Sequence, residues 1–164
     1  MNSKKLFIWG FLFVSVIGSL LHFVYEWSGN NSIVRLFAPW NESTWEHMKL
    51  LFFPMLVLVL FLFFKLPEQS PIPAALSIGT LVGLVLIPIL FYTYTGVLGF
   101  SVMAIDIAIF YISVLGVFLT GWFLKDNREL ANRRGLLLTC LVILAILFFI
   151  FSYYPPGIGL FQEP

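Results

Sequence analysis

The chain has 164 residues, of which 60% are hydrophobic, 18% aromatic and only 10% charged, with a formal net charge of +1. A soluble domain carries about 25% charged residues, so lipid rather than water must cover most of this surface. The near-neutral charge argues against a nucleic-acid partner, and the single cysteine, Cys140, excludes an internal disulfide and a cysteine-based zinc motif.

Lys4 and Lys5 precede an apolar run over 6–24. The pattern resembles a secretory signal. The run is nevertheless about long enough to cross a bilayer and lacks a small-x-small cleavage pattern, so it is read as a retained first helix. Further apolar runs follow at 45–64, 72–92, 100–124 and 136–153, separated by polar or turn-rich pieces. Each is near the ~20 residues that cross ~30 Å of hydrocarbon, and a lipid-crossing backbone must satisfy its own hydrogen bonds. The expectation is an all-α bundle of five transmembrane helices forming one domain over 1–164, multi-pass in the cell membrane. With five spans, Lys4, Lys5, Lys65, Lys125, Arg128, Arg133 and Arg134 share one side, and only Arg35 and Lys49 the other. The richer side is expected to be cytoplasmic, with the N-terminus in and the C-terminus out.

Within the runs, Gly79 and Gly83 form a GxxxG pair, and Ser15/Ser19, Ala104/Ala108 and Gly116/Thr120 also place small residues four apart. Such residues let helices approach closely, within the bundle or between copies. Pro54 and Pro88 each remove a helical hydrogen bond inside a span. In the first loop, Ile33 to Phe37 is apolar apart from Arg35. It should lie at the membrane interface or fold over the bundle.

The ionisable residues of the spans gather toward the expected outer end. His22 and Glu26 stand four apart at the end of the first run, and so share a helical face. Glu42, Glu46 and His47 open the second run, and Tyr92 and Tyr94 close the third. Asp106 is the acid set deepest in an apolar run, where a charge needs a partner. Helix caps account for part of this: Ser43 and Glu46 fit a capping box, and Asn41 is an alternative cap. Lys49 could neutralise Glu46 or Glu42, and Asp106 could tie to Tyr92, Tyr94 or a histidine. As a site, His22, Glu26, Asn41, Glu42, Glu46, His47, Tyr92 and Asp106 form the candidate binding set. His22, His47 and Asp106, or a glutamate in place of Asp106, would be the ligands of a divalent metal such as zinc. Without a metal, the same groups would form a hydrogen-bonded network.

The stretches His22-Phe23-Val24-Tyr25-Glu26-Trp27-Ser28-Gly29 and Pro39-Trp40-Asn41-Glu42-Ser43-Thr44-Trp45-Glu46-His47-Met48-Lys49-Leu50 resemble a family of short bacterial integral-membrane proteins of unknown function. The tail Tyr153-Tyr154-Pro155-Pro156-Gly157-Ile158-Gly159-Leu160-Phe161 resembles the closing motif of the same family. The resemblance implies a membrane protein of bacterial origin whose tail continues past Pro164. It implies no activity.

No G-x-S-x-G, P-loop, H-E-x-x-H or dinucleotide fingerprint is present. Three functions stay open. The first is binding or transport of a small solute or ion through an outward-facing polar pocket. The second is a membrane-embedded metal-dependent hydrolase. The third is an accessory protein docking a membrane-protein partner, or a second copy of itself, through the outer loop. The bilayer is the common partner of all three.

Overall fold

The computed structural model describes residues 2–163; Met1 and Pro164, with the expected continuation of the tail, lie outside the described residues. Five helices, α1 (Ser3–Trp27), α2 (Thr44–Lys65), α3 (Ile72–Leu98), α4 (Met103–Leu124) and α5 (Arg134–Tyr153), are each long and apolar enough to cross a membrane. No strand occurs among the described residues. Their outer faces carry Trp9, Phe64 and Phe123, each more than two-thirds exposed. Such a surface suits lipid, as in a multi-pass membrane protein.

The helices outrun the apolar runs at several ends. Asn2 caps α1 by accepting from the Lys4 amide, which starts the helix three residues before the apolar run. α3 continues past Tyr92 to Leu98, with the Thr93 and Thr95 hydroxyls donating back to the Ile89 and Phe91 carbonyls. Gly99 then ends it in a left-handed conformation, φ 81°. α4 therefore begins at Met103 rather than at 100.

α2 forms the centre of the bundle. Leu51, Phe52 and Met55 are fully buried, packed with Val14, Leu76, Leu141 and Phe148 from α1, α3 and α5. α4 packs mainly against α3 and α1, and adds Val114, Val117 and Phe118 to the same core. The α3–α4 contact is close because Gly79 and Gly83 meet the backbone of Val117 and Ser113; a Cβ at either glycine would collide. The GxxxG pair thus serves packing within the chain. Pro54 has no amide hydrogen to offer the Leu50 carbonyl. Gly18 of α1 sits against that carbonyl, where a Cβ would come within 2.5 Å.

The first loop folds over the bundle. A 3-10 turn at Val34–Leu36 carries Phe37 onto Phe53 of α2 and Phe149 of α5, with ring centroids 5.2 Å apart in both pairs. The tail returns to the same end. Phe161 packs on Trp45 and Phe151, and the Tyr153 hydroxyl donates to the Ser32 carbonyl at 2.7 Å. At the opposite end, Arg134 donates to the Phe63 and Pro67 carbonyls and so closes the C-terminus of α2.

Candidate metal centre

His22 in α1, Glu42 just before α2, and His47 in the first turn of α2 meet at the first-loop end of the bundle. One ligand atom from each lies within 4.8 Å of the other two. The His22 and His47 rings are 5.3 Å apart between centroids. His47 is partly exposed and Glu42 mostly so, which puts the trio at the surface.

The orientation of His47 follows from the cap of α2. Ser43 accepts from the Glu46 amide through its side chain. Its carbonyl lies 3.1 Å from His47 Nδ1. A carbonyl only accepts, so Nδ1 carries a hydrogen. Nε2 is then aimed at Glu42 Oε2, 3.4 Å away. In neutral imidazole this nitrogen holds a lone pair and faces a second acceptor, an arrangement that needs a proton or a cation between them. Two ligands at ~2.0–2.1 Å from a tetrahedral zinc are themselves about 3.4 Å apart. A metal-bound histidine donating its other nitrogen to a carbonyl is the usual supporting arrangement.

Residues 1–164 match the model of a family described as "Family of unknown function (DUF6512)". The chain belongs to the DUF6512 family. No curated protein matches it, and no solved structure does.

The other expected site residues of this DUF6512 chain are distributed differently. Asp106, expected as the third metal ligand, is absent from the trio, and Glu42 stands in its place. Because α4 starts at Met103, Asp106 falls in the first turn, where the helix dipole favours a carboxylate. It accepts from the Tyr94 hydroxyl, which in turn accepts from the Val102 amide at 3.0 Å. This ties the end of α3 to the start of α4. Tyr92 is engaged by Thr44, whose hydroxyl is 3.4 Å from its own. Glu26 is exposed, one turn beyond His22, and its carboxylate has no hydrogen-bond partner among the described residues. Asn41 accepts from the Ser43 amide at 3.1 Å, taking the part a capping box gives to the glutamate.

Glu46 has other partners. It is buried with Lys49, Nζ to Oε2 at 2.6 Å, in a network that the spacing of these residues only partly signalled. Lys49 Nζ also donates to the Arg35 carbonyl at 2.9 Å and reaches Ser152 Oγ at 2.5 Å, which uses all three of its hydrogens. Arg35 donates to the Ser152 carbonyl at 2.6 Å, with its guanidinium 3.7 Å from the Trp40 ring centroid and 4.8 Å from that of Tyr153. Nothing in the sequence pairs Arg35 with Ser152, which are 117 positions apart; only the fold brings them together.

Proposed function

We propose that the chain binds a divalent ion such as zinc through His22, Glu42 and His47, and that an open coordination position makes this a hydrolytic type of centre. The observation that carries this reading is His47, whose Nδ1 is committed to the Ser43 carbonyl while Nε2 faces Glu42 Oε2 at 3.4 Å. Three protein ligands and a free position are the pattern of catalytic rather than structural zinc. An ion held in this way acidifies its bound water to a pKa of about 7 and polarises a carbonyl. Glu26, one helical turn from His22 and without a partner, is the carboxylate free to accept a proton there.

Conduction has less support. Two hollows on the lipid-facing surface, of about 310 and 250 Å³, are open apolar grooves. The buried ion pair Glu46–Lys49 sits at the same end as the trio and is fully bonded internally. In this reading the site faces outward from a bacterial cell membrane, the side poorer in lysine and arginine.

Zinc titration of the purified full chain in dodecyl maltoside tests the centre. One ion should bind per chain, and His22→Ala, Glu42→Gln and His47→Ala should each weaken binding by about tenfold or more. A wild type that binds no zinc, or three variants that bind as tightly as wild type, would overturn the reading.

A further inference from the structure

Arg35 lies where the first loop crosses the C-terminal turn of α5. Its guanidinium carbon sits over two aromatic rings, 3.7 Å from the Trp40 centroid and 4.8 Å from that of Tyr153. Both residues are held by the rest of the chain. The Trp40 amide donates to Glu46 Oε2 at 3.4 Å, and the Tyr153 hydroxyl donates to the Ser32 carbonyl at 2.7 Å. A planar guanidinium stacked on rings keeps its N–H edges for hydrogen bonding.

Those edges are little used. A guanidinium has five N–H hydrogens, and one of them, on Nη2, goes to the Ser152 carbonyl at 2.6 Å. Arg35 Nε is buried and has no partner among the described residues. The same holds for Nε1 of Trp40, in the ring against which the guanidinium stacks. An enclosed N–H without an acceptor is costly, so two such donors in one stacked pair point to an acceptor from outside the chain.

The charges point the same way. Arg35 and Lys49 both bond Ser152, one at its carbonyl and the other at its hydroxyl. Glu46 is the one acid in this network among the described residues, and it pairs with Lys49. Two cations and one anion leave a surplus of one positive charge. The C-terminal dipole of α5, roughly half an elementary charge, offsets only part of it. Arg35 itself has no ion-pair partner among the described residues.

We infer that Arg35 and Trp40 bind the phosphate of a phospholipid headgroup. Arginine matches phosphate oxygens with paired hydrogen bonds, and a singly charged phosphodiester neutralises the surplus. The surroundings favour a lipid as its source. From Tyr153, Ile150, Ile146 and Ile143 follow at steps of three and four, all exposed, on one stripe of α5. A phosphodiester held at Arg35 has its acyl chains beside that stripe. Tyr153 and Tyr154 then stand at the headgroup level, where such rings sit. The site uses none of His22, Glu42 and His47 and needs no metal.

The test is thermal unfolding and native mass spectrometry of the delipidated full chain in dodecyl maltoside. Dioleoyl phosphatidylglycerol should raise the unfolding midpoint and stay bound at one molecule per chain. Dioleoylglycerol, with the same chains and no phosphate, should do neither. Inorganic phosphate at the same concentration should give no shift, because it lacks the chains. Arg35→Gln should weaken phosphatidylglycerol binding by about tenfold or more, the worth of a hydrogen bond to a charged group. That variant also gives up the Ser152 contact. Trp40→Phe is therefore the second variant, since it keeps an aromatic ring and removes an N–H that bonds nothing in the described chain. It should weaken binding by about three- to tenfold. Each variant is read against its own lipid-free midpoint, which separates lost binding from lost stability. Equal shifts from dioleoylglycerol, or variants that both bind phosphatidylglycerol as tightly as wild type, overturn the phosphate site. A shift from inorganic phosphate as large as that from the lipid overturns the headgroup as its source.

Discussion

Lys49 is fully buried, and each hydrogen on its nitrogen has an acceptor. Replacing it with methionine leaves the Glu46 carboxylate buried and uncompensated, which costs about 3–5 kcal/mol. Lys49→Met should therefore lower the thermal unfolding midpoint in detergent sharply. Adding Glu46→Leu should restore most of it, because the unpaired charge leaves with the glutamate. A midpoint unmoved by Lys49→Met refutes this account of the pair. Asp106 behaves differently, since its partner is the Tyr94 hydroxyl. Asp106→Asn should leave zinc affinity within about threefold of wild type, less than 1 kcal/mol by the relation of affinity to free energy. Glu42→Gln should not. Equal losses in the two variants would restore Asp106 to the ligand set. These contrasts also mark what the sequence makes legible of the site. His22 and His47 are the only histidines, and both sit at the same ends of consecutive spans, so their meeting could be anticipated. Which acid would complete the trio could not. It depends on the course of the loop before α2 and on where α4 starts, and three residues' difference in that start turns Asp106 from an acid inside a span into one in a first turn.

At the scale of elements, helix existence was readable from apolar length, because a lipid-facing segment has few alternatives to a helix. Helix ends were less readable, since they depend on caps such as Asn2 and Gly99 and on the threonines that carry α3 beyond its apolar run. The glycines separate packing from propensity. At Gly79 an added Cβ would strike the Val117 backbone, whereas at Gly96, also within α3, it would meet nothing. Gly79→Val should force α3 and α4 apart and destabilise the chain by about 1–3 kcal/mol, the usual cost of overpacking. Gly96→Ala should be neutral or stabilise by up to about 1 kcal/mol, the helical advantage of alanine over glycine. Thermal unfolding of both variants under one condition checks the pair of expectations. Equal effects would mean that the α3–α4 contact is not set by the small residues. That contact matters beyond stability, since α4 packs on α1 as well as on α3, and Tyr111 meets Ser19 between them.

For the whole molecule, the orientation in the membrane follows from where free cations remain. By sequence the count is seven lysines and arginines on one side against Arg35 and Lys49 on the other. The folded chain sharpens that contrast. Lys49 is buried against Glu46, Ser152 and the Arg35 carbonyl, and Arg35 is held by Ser152, Trp40 and Tyr153. Lys49 presents no free charge to lipid headgroups, and the charge of Arg35 is partly buried without an ion-pair partner among the described residues. At the other end Lys4, Lys5, Arg128 and Arg133 are exposed or partly so and have no ion-pair partner among the described residues. Positive charge is retained on the cytoplasmic side, so the first loop, the His22–Glu42–His47 trio and the tail should face outward. Alkaline phosphatase, which is active only outside the cytoplasm, fused after residue 163 should be active. The same enzyme inserted at 126–128, in the loop between α4 and α5, should be silent. Activity at 126–128 together with silence at the C-terminus would reverse the orientation. Substituting Arg35 and Lys49 offers an independent check, because removing both charges leaves the excess on the other side in place. Arg35→Gln with Lys49→Met should change stability but leave both reporter signals where they were. Replacing Arg128, Arg133 and Arg134 with glutamine should instead weaken the bias and give a mixed reporter pattern.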